Sequence, residues 1–343
     1  MNFSTPSKDI SDKQSEINKI LQQYENRKNV LKSCGFLVRD LLLNITCFRI
    51  FSTIPGATSY VIYSVLQGTL LMSLWVLAHE CGHGAFSRYQ KLNNIIGYLI
   101  HESLLVPYFA WQYTHSKHHK YTNHLIYGET HVPSTKPQPL GDAFVIFSLV
   151  FGWPLYLLTN ITGGRVQHDM KTPIDKKASL SHLNPWSQIF PPRLFYYVCL
   201  DLIGICCVIF VLVYFDLAYY YIGPYLVVNA WLVLYTLLQH TDKHIPHYGS
   251  EEFSYLRGAL STVDRKYPKC INYLHHDIGS THVLHHINHR IAHYHAEEAF
   301  HKIYPIIKEH YFKDERSIFE VVCDISKNCH YVESLEGVKF YNR

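Results

Sequence analysis

Apolar and polar stretches alternate along this chain on the scale of a bilayer. Crossing one takes about 20 apolar residues, and three runs reach that length. YVIYSVLQGTLLMSLWVLA (60–78) and YYYIGPYLVVNAWLVLYTLL (219–238) carry no charge, and FYYVCLDLIGICCVIFVLVYF (195–215) carries only Asp201. Three other runs are shorter or interrupted. GFLVRDLLLNITCFRIF (35–51) holds Arg39, Asp40 and Arg49; LNNIIGYLIHESLLVPYFAW (92–111) holds His101, Glu102 and Pro107; AFVIFSLVFGWPLYLLTNIT (143–162) has Pro154 near its middle.

The polar segments decide which of these runs cross. HECGH (79–83) follows the run 60–78 and HSKHH (115–119) follows 92–111, while HVLHH (282–286) lies in the C-terminal part beyond the last run. If the three act together, all lie on one side of the bilayer. Then 92–111 cannot cross, 195–215 and 219–238 form a hairpin, and 143–162 turns back, as its proline allows. For the N-terminus to share that side, 35–51 must be a first span. Lys and Arg are absent from the far-side turns 52–59 and 215–224 but frequent in the N-terminal segment and the histidine-bearing loops. The positive-inside rule therefore puts the N-terminus and the histidines in the cytosol. The expected fold is all-α and integral to the membrane: four transmembrane helices in two hairpins, interfacial helices, and a histidine-rich cytosolic cap.

Composition agrees with this reading. Charged residues make up 17% of the chain, well below the usual quarter, and aromatics 15%. The net charge of +4 is too small and too spread for a nucleic-acid partner. Nine cysteines, an odd number without a CxxC pair, fit neither a disulfide framework nor a zinc ribbon. The polar opening, with Asp9, Asp12 and Glu16, reads as neither a secretory signal nor an organellar transit peptide.

The chain holds 24 histidines. An isolated one, such as His182, His310 or His330, is an ordinary solvated or hydrogen-bonded side chain. The three clusters differ, because i, i+3 and i+4 spacing on a helix presents imidazoles along one face. Eight imidazoles exceed the three protein ligands of a catalytic zinc. Two metals sharing them is the economical reading, and ligation without thiolates suits an iron pair that binds and reduces dioxygen. HECGH also matches the zinc-peptidase pattern HExxH, with Glu80 as general base. An intramembrane zinc protease would leave HSKHH and HVLHH without a task. A histidine-lined metal transporter would want its ligands within the spans rather than beyond their ends.

AHECGHGAFS, LLVPYFAWQYTHSKHH, GWPLYLLTN, LLQHTDKHIPHY, LRGALSTVDR and HHDIGSTHVLHH resemble, in order, the blocks of the membrane acyl-lipid fatty-acid desaturases, nearest the microsomal omega-6 (Δ12) and omega-3 type. The resemblance implies a desaturase domain over 35–337, after a cytosolic segment 1–34 and before a short tail 338–343. It implies two iron ions held by His79, His83, His115, His118, His119, His282, His285 and His286, with His240 completing the set. It also implies dioxygen as co-substrate, phospholipid acyl chains as substrate, and electrons from cytochrome b5 and its reductase. Residence would be in the endoplasmic reticulum membrane. His275, His276, His293 and His295 recur in the family's blocks. With Glu80, Asp277 and Thr281 they are expected to support the ligand rings by hydrogen bonds.

Straight desaturation is the most common outcome of this frame, and Δ12 desaturation of oleoyl to linoleoyl chains is the reaction expected here. Omega-3 desaturation, hydroxylation and epoxidation are the alternatives. HE in the first box resembles the omega-6 group, whereas Gly84 and HHDIG resemble the omega-3 group. Ala292 stands where the family usually has a proline before HYH.

Overall fold

The computed structural model describes residues 4–137, 142–175 and 177–343. The chain is mostly helical. In order, it forms α1 (Gln14–Glu25), α2 (Val30–Phe51), α3 (Ala57–His83), α4 (Gln90–Ser103), α5 (Tyr108–Lys120), α6 (Asp142–Thr159), α7 (Phe195–Tyr214) and α8 (Ala218–His240). The short helices α9 (Tyr255–Leu260), α10 (Lys269–Leu274) and α11 (His282–Ile287) follow, then α12 (Ala296–Ile307) and α13 (Ile318–Asn328).

Among the described residues, three helices are long and apolar enough to cross a membrane: Ala57–His83, Pro192–Tyr214 and Ala218–His240. They contain the three runs that the sequence singles out. Helix α2 is not among them, because Lys32, Arg39, Asp40 and Arg49 lie within it. It is nevertheless 22 residues long, about 33 Å at 1.5 Å per residue. Its polarity is inside out: Ser33, Asp40 and Asn44 are buried, while Val38, Leu42, Ile45 and Ile50 are exposed. The buried Asn44 bonds to α3, donating to the Leu70 carbonyl and accepting from Gln67 Nε2.

Helices α3 and α8 form the central pair. Gly68 sits where they touch, and a Cβ there would stand 2.5 Å from Val227 Cβ. Met72, Trp75, Val228, Leu232 and Tyr235 pack between them with Trp111 and Trp153. The segment 92–111 does not run straight. It breaks at 104–107, where Leu105 adopts a positive φ of 55° and Pro107 precedes α5, so the chain doubles back. Pro154, by contrast, does not break α6, which continues through it to Thr159.

A second core lies beyond the ends of α3 and α8. Ile17, Leu21 and Tyr24 of α1 pack there with Leu256, Leu260, Val283, Leu284, Ile303 and Ile307. Among the described residues, strand is confined to two short pairs. His247–Tyr248 (β1) pairs antiparallel with Val338–Lys339 (β4), and Asp264–Arg265 (β2) pairs in parallel with Lys313–Asp314 (β3). The residues that the sequence leaves as a C-terminal tail thus begin as a docked strand.

Candidate metal centre

Helix α3 ends at His83, where Gly84 takes a left-handed φ of 69°. Its last turn carries His79 and His83 against the last turns of α5. His115 Nε2 lies 2.9 Å from His79 Nε2 and 3.0 Å from His83 Nε2. The His79 and His83 Nε2 atoms are 3.2 Å apart, as are those of His115 and His119. His285, from α11, completes a set of five whose ligand atoms all lie within 4.8 Å of one another.

A second set adjoins the first. His118, His240 and His286 bring their ligand atoms within 4.8 Å of one another. His118 Nε2 is 3.2 Å from His240 Nε2, and His282 Nε2 is 2.9 Å from it. All nine histidines that the sequence and the resemblance single out therefore converge, five in one set and four in the other. The sequence pattern predicts that each cluster points one way, and the structure corrects this. Residues four apart share a face, whereas adjacent ones diverge by about 100°. His79 and His83 thus go together, as do His115 and His119, and His282 and His286. The adjacent pairs His118–His119 and His285–His286 divide between the sets.

Buried carboxylates hold the ligand-bearing helices. Asp201, the one charge in the 195–215 run, accepts from the backbone N–H of Phe109 at 3.1 Å and of Ala110 at 2.9 Å, at the start of α5. Glu102 accepts from Tyr108 N–H at 3.2 Å. Together they satisfy first-turn donors that Pro107 cannot cap. Asp264 does the same for α11, accepting from Val283 N–H at 2.9 Å and from the Tyr311 hydroxyl at 2.8 Å. We expect Asp264→Ala to lower metal affinity roughly 10–100-fold, the usual effect of losing a group that orients ligands. Asp264→Asn, which keeps an acceptor, should retain most of it. Metal content after dialysis against a chelator would check this, and equal losses in the two variants would refute it.

The rings are also oriented and neutral. His118 Nδ1 donates to the Glu129 carbonyl at 2.6 Å, and His286 Nδ1 is 3.0 Å from Thr122 Oγ1. Both leave Nε2 for a metal. Burial, reinforced by neighbouring imidazoles, holds His115, His119, His282, His285 and His286 well below an ordinary histidine. Burial alone brings His118 down to about 4.

This donor set fits bound metal. In a neutral imidazole Nε2 carries either one N–H or one lone pair. The triangle of His79, His83 and His115 therefore cannot be satisfied by hydrogen bonds among its own members. The buried Nε2 atoms of His285 and His286 have no partner at all. The 2.9–3.2 Å spacings match ligands about 2.1 Å from one ion and about 90° apart. Five imidazoles in one set also exceed the four ligands of a tetrahedral zinc.

The remaining candidates stand one layer out. Glu80 accepts from His293 N–H at 2.6 Å and binds His293 Nδ1 at 2.8 Å. That engagement counts against a general-base role for Glu80 in a zinc protease. His276 Nε2 pairs with Asp40 at 2.8 Å, and His275 bonds the Tyr235 hydroxyl at 2.8 Å and the Thr69 carbonyl at 2.9 Å. Thr281 Oγ1 donates to the Asp277 carbonyl, so these two bond each other at the entry to α11. His295 lies 4.0 Å from Glu298, at the surface side of the turn.

Two histidines escaped the sequence reading. His289 packs on His83 and His119, and His131 stacks on His240 with centroids 6.2 Å apart. For His289 the signal was its place seven residues after His282, although it lies in the turn beyond α11. For His131 no spacing pointed to the site. Val76, Ile278, Leu284 and Ile291 line a small cavity beside His79 and His285.

Comparison with known proteins agrees with this geometry. Residues 55–315 match the family model for fatty acid desaturases. The chain is 37% identical to the omega-6 fatty acid desaturase, endoplasmic reticulum isozyme 2, of Glycine max, over 96% of this chain and 91% of that one. It is 36% identical to the Δ12-oleate desaturase of Trichosanthes kirilowii, over 96% of this chain and 95% of the other. With the Δ12 fatty acid desaturase of Mortierella alpina it shares 36% identity, over 82% of this chain and 76% of that one.

Proposed function

The chain belongs to the fatty acid desaturase family, and from that premise we propose that it converts oleoyl to linoleoyl chains in membrane phospholipids. The observation that carries this reading is the convergence of nine imidazoles into sets of five and four beside an apolar cavity. The net reaction takes a –CH2–CH2– unit, O2, two electrons and two protons to a cis –CH=CH– unit and two waters. An iron pair bound by these histidines would supply the oxygen chemistry that breaks unactivated C–H bonds, beyond the reach of side-chain acids and bases.

The protein's part is placement. His79, His83, His115, His119 and His285 would hold one ion, and His118, His240, His282 and His286 the other. Val76, Ile278, Leu284 and Ile291 offer an acyl chain an apolar wall next to the ligands. Asp201, Glu102 and Asp264 keep the ligand helices in register. Electrons would come from cytochrome b5 docking on the basic cytosolic face. We place the enzyme in the endoplasmic reticulum membrane with α2 as its fourth span, since its apolar outer face suits lipid, and with all nine histidines toward the cytosol.

The test is a fatty-acid profile by gas chromatography–mass spectrometry. The host is a yeast that makes only saturated and monounsaturated chains, and His285→Ala is the control. A new diene with its second double bond at Δ12, made by the wild type alone, is the expected result. A triene formed only from added linoleate would move the assignment to omega-3 desaturation. No new acid in either case, from expressed and iron-loaded protein, would refute both.

A further inference from the structure

Helix α11 stops at Ile287, yet the histidine stripe does not stop with it. His289 lies in the turn that follows. That turn is pinned by Asn288, whose N–H donates to the Leu284 carbonyl at 2.8 Å and whose side chain accepts from Arg290 N–H at 3.1 Å. The His289 ring packs on two members of the five-histidine set. Its centroid lies 4.6 Å from that of His83 and 4.8 Å from that of His119. Those two rings meet edge to face at 4.5 Å, so His289 covers the flank where they join.

Three observations define what this ring does. Its Nδ1 is sealed from solvent and has no hydrogen-bond partner. A buried polar atom without a protein partner is open to a hydrogen bond with a water, an ion or a bound molecule. The ring also lines the cavity together with His79, Glu80, His285 and His293. Finally, His289 is not in the set whose five ligand atoms lie within 4.8 Å of one another. It stands beside the metal-binding atoms without joining them.

We propose that His289 is a positioning residue that hydrogen-bonds the small exogenous ligand taken up by the five-histidine site. An ion held by these five imidazoles would have room for one small molecule, and His289, which lines the same cavity and keeps one nitrogen without a partner, would stand beside it. Dioxygen and small anions share the needed chemistry: each would offer one atom to the ion and a second to a hydrogen-bond donor. This inference rests on the iron reading of the site.

The experiment uses the full-length protein in detergent, as wild type, His289→Ala and His289→Gln, with azide as the probe. Iron per chain is measured by mass spectrometry. Azide binding to the oxidised protein is followed by its charge-transfer absorption. All three proteins are expected to hold equal iron. The azide dissociation constant should rise roughly tenfold or more in His289→Ala, the worth of one hydrogen bond to a charged group. It should recover in His289→Gln, whose amide can donate. Unchanged azide affinity at full iron content would overturn the proposal and leave His289 a packing residue. Loss of iron in both variants would also overturn it, because His289 would then be a ligand. A wild type that binds no iron would instead refute the metal reading on which the inference stands.

Discussion

Replacing His240 by alanine is expected to abolish diene formation, with a loss of at least about 100-fold, because even groups that only orient metal ligands cost 10–100-fold when removed. His240 is the last residue of α8 and is buried. Its Nε2 lies 2.9 Å from that of His282 and 3.2 Å from that of His118. It therefore joins the second histidine box on α5 to the third on α11. Without it the four-histidine set keeps three imidazoles, and the adjoining five-histidine set keeps all its members. Iron should fall from two ions per chain toward one, while the protein still elutes as a folded species. His240→Gln should behave like His240→Ala, since an amide does not replace a neutral imidazole as an iron ligand. Full iron content and undiminished diene in His240→Ala would show that His240 only packs against the centre.

His240 also shows where sequence reading ends. HECGH, HSKHH and HVLHH were legible because helical spacing alone predicts a shared face. A single histidine at the end of a span has no spacing to betray it, and only the family resemblance drew attention to it. The division of the ligands into five and four was hidden for a related reason. It depends on how α3, α5, α8 and α11 are rotated against one another, and those rotations are set by packing between distant segments. The same holds for Asp201, which reads as a blemish in an apolar span. It is explained only when α7 is seen to present it to the first turn of α5. The three long spans were legible from length and hydropathy. The inside-out polarity of α2 was not, because its buried Asp40 and Asn44 answer to His276 and α3, which the linear pattern does not place beside them.

Arg265 carries the other large expectation. It belongs to the STVDR block and is only 2% exposed. Its Nη2 lies 3.1 Å from Asp242, its Nη1 pairs with Asp314, and its Nε donates to the Leu238 carbonyl at 2.8 Å, two residues before His240. Asp242 and Asp314 are themselves buried, and Arg316 is the one other cation paired with them among the described residues, at 3.4 and 2.7 Å. Arg265→Met keeps most of the volume and removes the charge. It leaves two buried carboxylates short of a partner and a helix-terminal carbonyl without its donor. Breaking one side of a buried ion pair costs about 3–5 kcal/mol. In a chain of this size that corresponds to a fall of roughly 4–7 °C in the unfolding midpoint. Size-exclusion chromatography after heating in detergent would read it. The triple variant Arg265→Met, Asp242→Asn, Asp314→Asn should regain a large part of the loss, since a buried ionic cluster replaced as a unit strands no charge. If Arg265→Met melts with the wild type, the network does not hold the end of α8. If the triple variant is no better than the single one, the penalty comes from lost packing rather than stranded charge. The two outcomes differ for the metal centre as well. A network that fixes the end of α8 also fixes His240, so Arg265→Met should lose iron from the four-histidine set below its melting range.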